Sequence, residues 1–150
     1  MSSVPRISFK HLVKKNDKAL KSLSIALEDH GFFSIKDHGL SKDLIDACYE
    51  KSIDFFNLTN DEKVKYSFPN NAGARGYTPF GKETALGEKV PDLKEFWHHG
   101  PVVDKSFDNR IKKNIYISEI DEFNETFDKL FIELNNFGIE LLSCIALSIG

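Results

Sequence analysis

The sequence predicts an α+β domain, and three observations carry the prediction. Short β-type runs alternate with helical-period runs through the first third. Residues 74–100 then concentrate aromatic, cationic and histidine side chains between prolines. The last third follows one unbroken apolar rhythm of three and four. At 150 residues, 41% hydrophobic and 29% charged, the chain is long enough to bury one core and is ordinary for a soluble protein.

Val4, Ile7 and Phe9 around Pro5 read as a short edge strand, since proline cannot donate to a ladder. Asn16 or Asp17 then suits an N-cap, and Leu20, Leu23, Ala26 or Leu27, and His30 recur at helical spacing until Gly31, a residue able to end the helix at positive φ. Phe32–Lys36 reads as a strand, and Asp37-His38-Gly39 as a tight turn. Ser41 is a good N-cap for a helix with Leu44, Ile45, Cys48, Ser52, Phe55 and Phe56 along one face. The first third is therefore β-α-β-α. Thr59 or Asn60, followed by Asp61 and Glu62, marks a short helix, and residues 69–73 read as a loop. Arg75–Phe80 and Lys94–His99 look extended, with a polar connection between them, Pro101 as a stop, and no evident partner for the second strand.

From Ser118 the positions Ile120, Phe123, Phe127, Leu130, Leu134, Phe137, Leu141 and Ile145 predict one long helix. Its first half carries a solvated acidic face, whereas Leu141–Ile149 is apolar almost all round and needs burial on more than one side. The chain stops at Gly150, where a capping glycine would lead onward, and the expectation is a truncated polypeptide. The domain reading is residues 4–100, a connection over 101–117, and the long helix over 118–150.

Composition limits the function classes. A formal charge of −3 with interspersed signs lacks the basic face that non-specific nucleic-acid binding needs. Continuous apolar runs are too short to span a bilayer, and the N-terminus has no apolar signal core, so no membrane partner and a cytoplasmic location are expected. Cys48 and Cys144 stand alone in apolar patterns and read as buried thiols. None of His11, His30, His38, His98 and His99 stands in an HxD, HxE or HExxH arrangement, so no metal ligand is assigned. Walker, GxGxxG and GxSxG motifs are absent. Glu83, Glu88, Asp92 and Glu95 sit among lysines and read as solvated surface. Arg75 could present its planar fork of donors to a substrate carboxylate, or pair with Glu83 or Glu95. Tyr77, Phe80, Phe96 and Trp97 could be pocket wall or core.

Several of these stretches together resemble the N-terminal region of the iron(II)- and 2-oxoglutarate-dependent oxygenases of the isopenicillin N synthase-like family. The matching features are Pro5 and Ile7, Gly31-Phe32-Phe33-Ser34-Ile35 with His38-Gly39-Leu40, Phe55-Phe56 with Leu58 and Glu62-Lys63, Arg75-Gly76-Tyr77, and Asp92-Leu93-Lys94-Glu95-Phe96. The resemblance implies a helical and stranded region wrapped around a double-stranded β-helix (jelly-roll) core, with the long helix as the core's backbone. It also implies that the iron ligands and the RxS motif for 2-oxoglutarate lie beyond that helix. The only RxS letters here, Arg6-Ile7-Ser8, stand at the wrong end of the chain for that motif. Catalytic and metal residues are therefore expected outside this chain, with iron(II) and 2-oxoglutarate as cofactors of the whole protein. The partners would be a small-molecule substrate and the C-terminal catalytic half. Within the chain the resemblance implies substrate contact by Arg75, Tyr77, Phe96 and His98, with Trp97 and His99 turned away. The competing readings are an isopenicillin N synthase-like oxidase that does not use 2-oxoglutarate, and a non-catalytic α+β interaction module.

Overall fold

Local sequence chemistry sets the element ends. The computed structural model describes residues 4–68, 74–87, 89–103 and 111–149. Strand β1 (Arg6–Ser8) runs directly into a single helical stretch, α1 (Phe9–Val13), followed by α2 (Asp17–Asp29), β2 (Ser34–Lys36), α3 (Lys42–Asn57) and α4 (Asn60–Lys63). A 3₁₀ turn over Val64–Tyr66 precedes β3 (Gly76–Thr78), β4 (Phe96–His98) and the 27-residue α5 (Phe123–Ile149). Asn16 caps α2 by accepting the Ala19 N–H, and Gly31 follows its end at φ +72°. At α4, Thr59 and Glu62 form a reciprocal capping box that satisfies two otherwise orphaned amides. The expected turn after β2 is present, with Asp37 at φ +58° and Gly39 at φ +76°. The loop expected at 69–73 lies outside the described residues.

The chain forms two compact units, residues 1–41 with 133–150, and residues 42–132. In the first, β1 and β2 pair in parallel, Ile7 beside Ile35, across the connection made by α1 and α2. Ile7, Leu12, Leu23, Ala26 and Cys144 are its buried core, and Leu141 and Ile145 of α5 pack on it. In the second, β3 and β4 pair antiparallel, Tyr77 beside Trp97. The core there is aromatic. Phe55, fully buried, meets the rings of Trp97 at 5.0 Å, Phe56 at 5.4 Å, Tyr77 at 5.7 Å, Phe123 at 5.9 Å and Tyr66 at 6.3 Å, edge-on or tilted as ring quadrupoles prefer. Cys48 and Cys144 are free and buried, and burial pushes both thiols up.

Three expectations need correction. Phe9 leaves the predicted strand to start α1, because Phe9 and Leu12, three apart, both reach the interior on a helical turn. The strand at residues 96–98 is paired, by β3. The long helix begins at Phe123 rather than Ser118: Glu122 adopts φ +54°, and the buried Asn124 side chain accepts the Ile117 N–H at 3.0 Å and donates to the Ile115 carbonyl at 2.7 Å. Those bonds tie residues 115 and 117 to the first turn of the helix from outside it, so Ile120 keeps the apolar rhythm without being helical. By length and composition alone α5 would also reach across a bilayer, with a window of mean hydropathy 1.5, which by itself does not overturn the expectation of no membrane partner.

The ring cluster predicts its own energetics. Phe55→Ala should cost about 3–5 kcal/mol, as large aromatic truncations in closed cores do. Thr59→Ala should cost about 1 kcal/mol through the lost cap. Urea unfolding followed by Trp97, the only tryptophan, measures both.

Candidate functional site

Strand alternation sorts the residues of β3 and β4 onto two faces. Tyr77 and Trp97, opposite each other, point into the aromatic core. Phe96 and His98 share the other face, their rings 5.4 Å apart, with Lys94 Nζ 5.3 Å above the Phe96 ring. His98 is exposed and Phe96 half-buried. Gly76, opposite His98, sits at φ +83°, where an added Cβ would lie 2.5 Å from the Tyr66 carbonyl oxygen. No other residue fits there without moving the backbone.

The register of this pair is pinned by a buried ionic contact. Lys63, only 5% exposed, donates to both Glu95 carboxylate oxygens at 3.0 and 3.3 Å and to the Phe56 carbonyl at 3.2 Å. The Tyr77 hydroxyl donates to the same carboxylate at 2.5 Å. Burial first, and then the Glu95 carboxylate, push the Tyr77 phenol far up, so it remains a donor. Glu95, expected among solvated surface carboxylates, is instead half-buried against Lys63 and Tyr77, whereas Glu83 and Asp92 do pair with Lys94 near the surface, at 3.5 and 2.8 Å. Glu88 lies outside the described residues.

One step beyond β4, His99 packs on Phe127 and its Nε2 lies 2.6 Å from Asp128 Oδ1. Asn114 Nδ2 approaches that carboxylate oxygen at 3.2 Å and also holds Gly100, donating to its carbonyl while Asn114 Oδ1 accepts its N–H, both at 2.8 Å. Burial, ahead of the opposing pull of Asp128, holds His99 below its usual range, and the Arg75 charge adds to the lowering. Neutral His99 therefore donates from Nε2 to Asp128, which leaves Nδ1 buried without a partner. Arg75 lies against Gly100, where an added Cβ would fall 2.2 Å from the guanidinium carbon, and its Nε is buried without a partner. Among the described residues Glu83 and Glu95, its candidate ion-pair partners, are engaged by Lys94 and Lys63.

The residues singled out in sequence are therefore not one surface. Phe96 and His98 stand together. Tyr77 is 4% exposed and belongs to the packing, and the Arg75 guanidinium lies against Gly100. The orientation expected for Trp97 and His99, away from the Phe96 face, is the one observed. Sequence reasoning missed Lys63, Asn114 and Asp128. For Lys63 the signal was that Glu62-Lys63, Arg75-Gly76-Tyr77 and Asp92 to Phe96 stood out as separate stretches, and Lys63, Tyr77 and Glu95 turn out to meet; Asn114 and Asp128 lie in none of them.

Among the described residues no three His, Cys, Asp or Glu side chains converge as an iron-binding set would. These residues do not fit the metal, and the chemistry derived from them is limited to packing, hydrogen bonding and presentation of the Phe96–His98 face.

Residues 4–119 match the family described as non-haem dioxygenase in morphine synthesis, N-terminal. The chain belongs to that family. As a non-haem dioxygenase N-terminal region it has relatives of the same kind. It is 32% identical over 129 residues to the 2-oxoglutarate-dependent dioxygenase frbA of Dothideomycetidae sp. (strain 11243), covering 78% of this chain and 37% of that one. Its fold superposes with a TM-score of 0.86 on a 2OG-Fe(II) oxygenase family protein from Caulobacter crescentus, at 33% identity over 99% of this chain and 49% of the other. It also resembles a Neurospora crassa protein solved in complex with alpha-KG and thymine, at a TM-score of 0.79 and 22% identity, covering 98% of this chain and 48% of that one, a likeness of fold. The chain spans less than half the length of each.

Two measurements test this non-haem dioxygenase region. Lys63→Met should destabilise by about 3–5 kcal/mol because it strands a buried carboxylate, and the double variant Lys63→Met/Glu95→Leu should be less damaged than either single one. Because folded His99 binds protons less readily than the unfolded chain, its contribution to stability is complete above the ordinary histidine value of 6.5 and is lost as pH falls through it. Urea midpoints should drop between about pH 7 and pH 5, and drop less in His99→Gln.

Proposed function

We propose that this chain is the outer region and one cavity wall of an iron(II)- and 2-oxoglutarate-dependent dioxygenase acting on a small organic molecule. The observation that carries the reading is the Phe96–His98 face: a half-buried ring beside an exposed imidazole, held by the Lys63–Glu95–Tyr77 contact in a region whose relatives are named 2-oxoglutarate-dependent dioxygenases. Those names favour this reading over the oxidase that does without 2-oxoglutarate.

In this reading a double-stranded β-helix core beyond α5 covers the exposed apolar side of that helix, where Leu134, Ile139, Leu142, Leu147 and Ile149 are left open. Iron and 2-oxoglutarate, bound by residues outside the described ones, would supply the oxidising chemistry. The part of this chain is orientation. Phe96 gives the substrate an apolar surface and His98 a hydrogen bond to its polar end. Arg75 and Tyr77 act behind that face, Arg75 through Gly100 and Tyr77 through Glu95. Holding one C–H bond in place and keeping water out is worth more here than any acid or base on the strand. A cytoplasmic location fits the two free buried thiols.

The natural polypeptide should form succinate from 2-oxoglutarate only with iron present, and with a substrate that stimulates this turnover His98→Ala should raise KM by about tenfold or more, the scale of one lost polar contact. Uncoupled 2-oxoglutarate turnover should change by less than about twofold. No iron-dependent succinate would overturn the assignment, and an unchanged KM would remove His98 from the substrate wall.

A further inference from the structure

The first unit contains a feature that the oxygenase reading does not use. A cleft of about 410 Å³ opens beside β1 and β2, with Arg6, Ser8, His11, Lys18, Lys36 and Asp37 in its wall. The sheet geometry gathers these groups. Arg6 and Ser8 stand two apart on β1 and so face the same side, and the parallel register sets Lys36 beside Ser8. Lys18 comes from the first turn of α2, whose cap, Asn16, also lines the cleft.

The charges are unbalanced. Arg6, Lys18 and Lys36 face a single carboxylate, Asp37, and among the described residues none of the three cations is in an ion pair. Arg6, Lys18 and Lys36 against Asp37 leave the wall an excess of two positive charges. Ser8 supplies the second, independent observation. It is 7% exposed, and its hydroxyl is buried with no hydrogen-bond partner. A buried hydroxyl without a partner costs stability unless something else receives its proton.

We propose that this cleft binds a phosphate monoester dianion, with Arg6, Lys18 and Lys36 around its oxygens and the Ser8 O–H donating to one of them. Two negative charges match the excess in the wall, and a tetrahedral oxyanion can accept from cations on several sides at once. No residue of the Phe96–His98 face takes part, so the site stands or falls separately from the oxygenase reading. The same chemistry could reach the cleft as a soluble phosphate ester or as a monoester lipid headgroup.

Calorimetric titration of the natural polypeptide with inorganic phosphate, at constant ionic strength set by chloride, tests the site. Sedimentation with phosphatidylcholine vesicles, with and without phosphatidic acid, runs beside it. Saturable binding is expected in at least one arm; binding in the first alone assigns a soluble ligand, and capture by phosphatidic acid vesicles assigns the lipid source. Ser8→Ala should weaken binding about tenfold, the scale of one hydrogen bond to a charged group. Lys18→Gln, on an exposed helical position that leaves folding intact, should weaken it about fivefold. Absence of saturable binding in both arms, or unchanged affinity in either variant, overturns the proposal.

Discussion

The buried contact among Lys63, Glu95 and Tyr77 is the constraint on which the second unit depends. A lysine and a glutamate withdrawn from water lose hydration worth several kcal/mol each, and their attraction offsets that only when remaining donors and acceptors are filled. Here they are filled, by the Phe56 carbonyl on the lysine side and the Tyr77 hydroxyl on the glutamate side. The capping box at Thr59 fixes where α4 begins and so where Lys63 lies four residues later. The antiparallel register fixes Tyr77 against Trp97. A slip of one residue in β4 would turn Glu95 away from Lys63 and put Phe96 into the core in place of Trp97, so specificity rather than net stability is what this contact provides.

The polar arrangement at His99 plays a different part. Its partner Asp128 comes from α5, and Asn114, from the segment ahead of that helix, donates to the same carboxylate and holds both backbone groups of Gly100. The chain leaving β4 is thereby tied down two residues past the last pair of the ladder, Gly76 with His98. Arg75, whose guanidinium lies against Gly100, adds a positive charge beside a histidine that burial already keeps neutral. The site is therefore supported from beneath by groups that do not themselves face the Phe96–His98 surface.

Much of the local structure was legible in the residues because the deciding interactions are short in sequence. Asn16, Gly31, Thr59 and Gly39 act on amides or dihedrals within a few positions of themselves, and the helices and strands they bound fall where those residues place them. The alternation that sends Trp97 inward and Phe96 outward is equally local. What the sequence concealed depends on distant partners. Ile120 keeps a helical rhythm but is held out of α5 by the Asn124 side chain reaching back to Ile115 and Ile117. Glu95 looks like its solvated neighbours Glu83 and Asp92 until the buried Lys63, far back in the chain, is seen opposite it. Tyr77 was open between wall and core, and only the pairing with Trp97 decides it.

The central claim is that this contact turns one face of β4, and one only, toward substrate. The most direct measurement is a crystal structure of the natural polypeptide with iron, 2-oxoglutarate and a substrate bound. The account predicts Phe96 and His98 in van der Waals contact with the substrate while Lys63, Tyr77 and Glu95 remain joined behind them. A substrate seated against Trp97 and Tyr77, or Glu95 paired with another cation, would contradict it.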